Sequence, residues 1–398
     1  MCRPSSAQQG RAMSSPKRIL TTHAGSLPRS ARLVDLYARR ASGEAVDEAL
    51  LAAEGEAATR QVVEAQRAAG VDVPSNGEQM REAFFLYVQR RMSGFGGRWQ
   101  RPVARELADY PEFAQARRQA LASRQAVSNF EPPTAVGPIR YLDGSANAAE
   151  IRVFKETLAQ HKGAFADAFM TAPSPGIVAM AMKNAHYERF ADYLAALADA
   201  LRVEYKAAVD AGFILQIDAP DLALERHLSY ADRPVKDFVA FVESVIGEIN
   251  RALAGIPRER VRLHVCWGNY ESPHDRDVPL REIVAAILAA NVGAFMLPFA
   301  NPRHAHEIKV FRDVPLAADQ SLIVGVIDTT TNYLEHPELI ADRLETAARA
   351  IGDPRRIQAG TDCGFDTSAG MGRLTADVVW AKLEALREGA DLAAARLL

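Results

Sequence analysis

Cysteine is scarce in this chain: 398 residues contain Cys2, Cys266 and Cys363 and no others. The sequence shows no secretory signal and its cysteine usage is of the intracellular kind, so a Cys266–Cys363 disulfide is disfavoured. Long apolar runs are missing too; none approaches the roughly 20 residues needed to cross a bilayer. Charge of one sign is missing as well. Lys and Arg number 47 against 50 Asp and Glu, a net charge of −3, which leaves no electrostatic case for nucleic acid or an anionic membrane as partner. No G-x-G-x-x-G follows a first strand, which argues against a doubly wound dinucleotide-binding sheet. What remains is an ordinary globular composition, 48% hydrophobic and 24% charged, long enough for one large α/β domain or two smaller ones. The cytoplasm is the expected location. Residues 1–16 are rich in Ser, Gln, Gly and Arg without an apolar core and read as a disordered leader, with Met13 a candidate start.

From residue 17 onward, short apolar segments alternate with longer helical patterns. The apolar segments lie at 17–29, 71–74, 135–139, 168–175, 212–220, 261–267, 293–299, 322–328 and 356–361. Helical patterns fall at 30–70, 187–211, 236–254, 280–290 and 336–352. Apolar strands separated by helices predict a parallel sheet covered on both faces. About eight such units predict a single (β/α)8 barrel over residues 17–398. Nine candidate strands compete for eight places, and 135–139 is expected to be the extra one.

In such a barrel the loops after the strands share one face, where catalysis sits. The residues at these strand ends include His23, Ser26, Asn76, Glu78, Asp218, His264, Cys266, Asn301, Arg303, Asp328, Asp362 and Cys363. Singly, each is readable as a turn or capping residue. His264 and Cys266 are two residues apart on one strand, so their side chains share a face. Imidazole and thiolate are natural zinc donors, and Cys363 at another strand end would make a three-ligand site with one place open. Inert packing of buried Cys and a hydrogen-bonded core His are the plain alternatives.

Seven motifs, in order along the chain, carry a resemblance. They are Thr21–Arg29 (TTHAGSLPR), Asn76-Gly77-Glu78, Gln216-Ile217-Asp218, His264-Val265-Cys266, Ala300–His304 (ANPRH), Gly325–Asp328 (GVID) and Thr361–Gly364 (TDCG). The chain resembles the catalytic C-terminal barrel of the cobalamin-independent methionine synthase family. The resemblance implies a (β/α)8 barrel that transfers an alkyl group, methyl first of all, to a zinc-bound thiol such as homocysteine. It implies zinc ligands at His264, Cys266 and Cys363. It also implies an amino-acid-binding set at Ser26, Glu78 and Asp218, Glu78 and Asp218 being catalytic candidates, with His23, Asn301 and Arg303 as further substrate-binding candidates.

Two departures stand out. The family's remaining zinc ligand, a Glu, aligns with Pro298, and a His after the next strand is replaced within Thr329-Thr330-Thr331. Glu271, His274 and Asp275 are candidates to supply a fourth ligand. Without a Glu ligand the site is one charge less negative, so an activated electrophile, a strained ring or a cationic methyl donor, is expected in preference to a neutral methylfolate. No counterpart of the second, N-terminal barrel of folate-using members accompanies the motifs, which points to a methyl donor other than polyglutamylated folate. Single-barrel relatives that open epoxides with coenzyme M share the His-x-Cys and distant Cys, so epoxide opening is the alternative. A barrel that lost catalysis, and a purely structural zinc site, are alternatives of another class.

Overall fold

The structure is a computed structural model and describes residues 18–122 and 124–398; the N-terminal leader expected over residues 1–16 lies outside the described residues. The strands are β1 (Phe95–Gly96), β2 (Thr134–Ala135), β3 (Phe169–Pro173), β4 (Ile214–Asp218), β5 (Val261–His264), β6 (Ala294–Pro298), β7 (Ser321–Ile327) and β8 (Ile357–Thr361). Strands β3 to β8 form one parallel sheet in sequence order. Nearly every residue in them is buried, as a sheet covered on both faces requires. The regular ladder stops at six strands, and two irregular segments span the gap. Thr22 donates its N–H to Ala359 O (2.9 Å), and Val73 donates to Thr21 O (3.0 Å). Phe169 of β3 donates to Pro74 O (2.9 Å). Segments 19–22 and 71–74 thus take the first two of eight places in a (β/α)8 barrel. They pair through single bridges because Asp72 and Thr21 spend side-chain hydrogen bonds on each other's backbone.

The helices are α1 (Ala31–Ser42), α2 (Glu48–Ala68), α3 (Glu106–Asp109), α4 (Pro111–Ala122), α5 (Ser145–Gln160), α6 (Pro175–Ala181), α7 (Phe190–Asp210), α8 (Asp221–Leu224), α9 (Val235–Ala252), α10 (Leu280–Leu288), α11 (Pro337–Ile351) and α12 (Ala376–Leu397). The single helix expected over 30–70 is two. Gly43 ends α1 in the left-handed conformation (φ 89°), and Asp47 restarts the chain as an N-cap whose carboxylate accepts from the N–H groups of Ala49 and Leu50. The ninth candidate strand lies outside the barrel. Of it, β2 pairs antiparallel with β1 in a small ribbon. That ribbon belongs to a long excursion between the second and third barrel places, which also carries α3 and α4.

A buried ion network ties the excursion to the barrel. Arg81 and Arg91 share Glu150, and Arg91 also reaches Glu204 (2.9 Å). Arg81 additionally donates to Thr171 O (2.8 Å) on β3. These charges are tolerable inside only because each has an opposite partner and further hydrogen bonds. Among the described residues, no helix is long and apolar enough to cross a membrane.

Candidate metal and substrate site

The barrel interior below the site is polar, and it orients what lies above. Arg262 on β5 is fully buried and stacks over the Phe169 ring (3.6 Å), burial pulling its pKa down to about 9. Its Nε donates to Gln216 Oε1 (2.8 Å), which turns the Gln216 amide N–H toward Asp218 Oδ1 (2.7 Å). Asp218 ends β4 in register with His264 at the end of β5. The same Asp218 Oδ1 lies 3.0 Å from His264 Nδ1. With Nδ1–H donated to the carboxylate, Nε2, which lies 3.3 Å from Asp362 O, is the nitrogen that a metal could take once the ring is neutral.

Cys266 follows two residues after His264, and Cys363 follows two after the end of β8. One donor atom from each of His264, Cys266 and Cys363 lies within 4.8 Å of the others, all three residues being buried. The two sulfurs are 3.9 Å apart and both cysteines are free. A disulfide needs about 2.05 Å. Two thiolates on one tetrahedral zinc, with Zn–S near 2.3 Å, stand about 3.8 Å apart. The donor set and spacing therefore fit a soft divalent metal. Electrostatics agree. The Cys266 thiol is pulled well below its usual value by its hydrogen bond to Cys363 and by His264, whereas Cys363 is pushed well above it by Cys266 and by burial. His264 is raised to about 10: burial opposes its charge, and Cys266 and Asp218 outweigh burial. Two adjacent sulfurs cannot both ionise without a cation between them.

The cluster opens into a cavity of about 210 Å³ whose wall also holds Ser26, Glu78 and Asp218. Glu78 is one of two non-glycine residues with positive φ (57°) among the described residues, a strained conformation of the kind found at functional sites. Its Oε1 accepts from Thr171 Oγ1 (3.0 Å), while its Oε2 is buried with no hydrogen-bond partner. Burial, and then the Asp218 charge, raises Glu78 to about 7. Ser26 packs against the residue after Cys363: a Cβ on Gly364 would stand 2.1 Å from Ser26 Oγ. Only glycine permits that approach.

The other predicted residues lie elsewhere. His23 does not line the cavity. Fully buried, it contacts Gln66 Oε1 through Nε2 (2.8 Å), accepts the Gly25 N–H on Nδ1 (3.1 Å), and is kept neutral by burial, its pKa near 3. Its work is to shape the turn before Ser26. Asn301 lines a smaller cavity of about 30 Å³ behind the sulfurs, together with Asp328. Arg303 is exposed and donates to His274 O (3.1 Å). Asp362 holds the loop after β6, accepting from the N–H groups of Phe299, Ala300 and Asn301. Asn76 caps its own turn by accepting from Glu78 N (3.1 Å). Pro298 ends β6 on the wall of the smaller cavity, beside Cys266 and Cys363. None of the three suggested replacements for a fourth ligand joins the cluster. Glu271 is paired with Arg373 (2.6 Å), Asp275 accepts from Tyr110, and His274 uses Nδ1 on Asp277 and Nε2 on Tyr270 O.

Strand-end reasoning missed the outer wall, where Arg101, Arg117, Arg124, Arg373, Phe84 and Tyr270 face the cavity. Most of these come from the excursion and from the loop after β8. They carry no motif, and their only signal was an arginine-rich stretch with no strand to assign it to.

A parallel barrel with an imidazole and two thiols at its strand ends, beside two buried carboxylates, defines a barrel protein with a candidate soft-metal site. Comparison with known proteins bears out the fold and gives the family. The family model "Cobalamin-independent synthase, Catalytic domain" matches residues 111–390, and the chain belongs to that family. It is 25% identical over 346 residues to the methionine synthase of Sulfurisphaera tokodaii, covering 87% of this chain and 85% of that one. It is 24% identical over 380 residues to the methionine synthase of Saccharolobus solfataricus, covering 95% of each. A solved B12-independent methionine synthase from Shewanella sp. W3-18-1, in complex with selenomethionine, shares the fold with a TM-score of 0.68 at 21% identity, over 94% of this chain and 97% of that one.

Proposed function

We propose that this chain is a methyltransferase of the methionine synthase kind, which alkylates the sulfur of homocysteine or a closely related aminothiol. The observation that carries the reading is the 3.9 Å pair of free, buried sulfurs opening onto a cavity with an unpartnered Glu78 oxygen. Zinc held by His264, Cys266 and Cys363 would supply Lewis acidity, lowering the pKa of the acceptor thiol so that it attacks as thiolate. Asp218 holds the His264 ring in its tautomer. Glu78 and Asp218 offer two carboxylates to the ammonium group of an aminothiol, and Ser26 offers a hydroxyl beside them. The same carboxylates oppose the sulfonate of coenzyme M, which disfavours the epoxide-opening alternative. A structural zinc site is normally closed by four protein ligands. This cluster has three and faces a cavity, which supports a catalytic site.

Metal analysis of the purified protein, followed by X-ray absorption with and without homocysteine or coenzyme M, tests the reading. About one zinc per chain is expected, with one more sulfur in its shell after homocysteine is added. Absence of zinc, or a shell indifferent to both thiols, would overturn the proposal. A response to coenzyme M alone would favour the alternative.

A further inference from the structure

The cavity has two electrically opposite ends. At its inner end stand Glu78 and Asp218. At its outer wall stand Arg117, Arg124 and Arg373, and they are poorly neutralised. Arg117, half-buried on α4, lies over the Tyr270 ring (4.9 Å) and has no ion pair or hydrogen bond among the described residues. Arg124, which is exposed, donates among the described residues only to backbone oxygens, Met371 O (3.4 Å) and Gly372 O (3.2 Å). Arg373 has one acidic partner, Glu271, itself 63% exposed and therefore well screened by water. Arg101, nearby, is already paired with buried Glu225 (3.2 Å) and is left out of the argument.

These cations also act on one another. Burial, and among its neighbours Arg373, lowers the pKa of Arg117; burial, and among its neighbours Arg124, lowers that of Arg373. Glu106 is the carboxylate that acts on Arg117 from α3; its Oε1 accepts from Ser272 and its Oε2 has no hydrogen-bond partner among the described residues, so it offsets part of the charge of Arg117 and leaves Arg124 and Arg373 without a second acid. Like charges gathered on a concave, partly dry wall raise the potential there and attract an anion. Guanidinium forks suit carboxylate, sulfonate and phosphate groups. The same cavity is also lined by apolar and aromatic side chains, including Phe84, Leu107 and Tyr270.

We infer that Arg117, Arg373 and Arg124 form an anion subsite at the cavity mouth, which takes the negatively charged end of an alkyl donor whose apolar body reaches inward to the sulfurs. The subsite rejects donors with a cationic end. Among the electrophiles compatible with the missing Glu ligand, it therefore favours an anionic donor over a sulfonium. The inference rests on the proposed function only in taking this cavity as the donor's place, and its test needs neither turnover nor metal.

Binding of three probes of similar size to the full chain, benzenesulfonate, benzyltrimethylammonium and benzyl alcohol, is measured by calorimetry or ligand-observed NMR. Benzenesulfonate is expected to bind about tenfold or more tightly than benzyltrimethylammonium, as one charged hydrogen-bonded contact permits. In Arg117→Gln/Arg373→Gln that preference should fall to about twofold or less, with benzyl alcohol binding unchanged. Should the double variant not fold, the wild type still decides: raising KCl from about 50 to about 500 mM should weaken the sulfonate several-fold and leave the alcohol unaffected. Equal binding of anion and cation, no binding of the sulfonate, a preference that survives the double variant, or salt-independent sulfonate binding would each overturn the inference. Failure to find zinc or methyl transfer would bear on the proposed function alone.

Discussion

Asp218 Oδ1 sits 3.0 Å from His264 Nδ1 across the β4–β5 pair, and the same oxygen accepts the Gln216 amide at 2.7 Å. The pairing makes one carboxylate both the orienting partner of the candidate metal ligand and a wall of the cavity. Asp218→Asn should keep the shape but misassign the tautomer. Zinc affinity is expected to fall about 10- to 100-fold, the usual cost of losing a carboxylate behind a ligating His. Cys266→Ser and Cys363→Ser should lose most of the metal outright. Chelator competition on the purified variants measures all three, and wild-type affinity in each would contradict the assigned ligand set.

Glu78 has a clear pH signature. Its native pKa, about 7, lies above the 4.5 of an ordinary Glu because burial and then Asp218 disfavour the charge. Between these values the native state holds a proton that the unfolded chain has released. Stability of the ligand-free protein therefore falls as pH rises from about 4.5 to about 7, by up to roughly 3 kcal/mol. Asp221 and Asp362, also raised to about 7 by burial, add to the slope in this range, so Glu78→Gln should remove the Glu78 share of it in urea melts and leave theirs. An ammonium ligand favours the ionised carboxylate, so homocysteine affinity should climb from pH 5 to pH 7 in the wild type and flatten in the variant. A slope unchanged by Gln would assign the titration to another group.

Glu150 neutralises two buried arginines, Arg81 and Arg91, and Arg81 in turn donates to the Thr171 hydroxyl beside Glu78. Glu150→Gln leaves two cations sharing a single remaining acid, Glu204, inside the protein. A loss of about 3–5 kcal/mol is expected, as for other broken buried pairs. The shift of the urea midpoint at constant slope is the measurement; a loss under about 1 kcal/mol would mean that water reaches the network.

Pro298 faces the small cavity behind the sulfurs, and neither Glu271, His274 nor Asp275 takes the fourth place. Pro298→Glu should add a carboxylate to the metal shell, make the site one charge more negative and raise the pKa of a bound thiol. Proton release on homocysteine binding, followed across pH, reads this directly. An unchanged profile, with no added oxygen in X-ray absorption, would show that the position does not reach the metal.

Much of this protein was legible in the chain itself. Apolar strands buried on both faces leave a strong periodic signal, so six regular strands fell where the pattern put them. The strand ends then named Asp218, His264, Cys266 and Cys363, because topology sends successive parallel strand ends to one rim. The residues at 135–139 were likewise recognisable as surplus. Other features needed the folded chain. The break between α1 and α2 depends on Gly43 in a left-handed turn and on the Asp47 cap, both hidden inside a continuous helical pattern. His23 looked like a site residue because it stands at a strand end, yet its side chain turns to Gln66 and leaves the cavity to Ser26, three residues on. Arg117 and Arg373, 256 positions apart, have no shared motif. Only the excursion's path over the rim brings them to the same wall, since side-chain direction and long-range approach are set by packing, which no local pattern encodes.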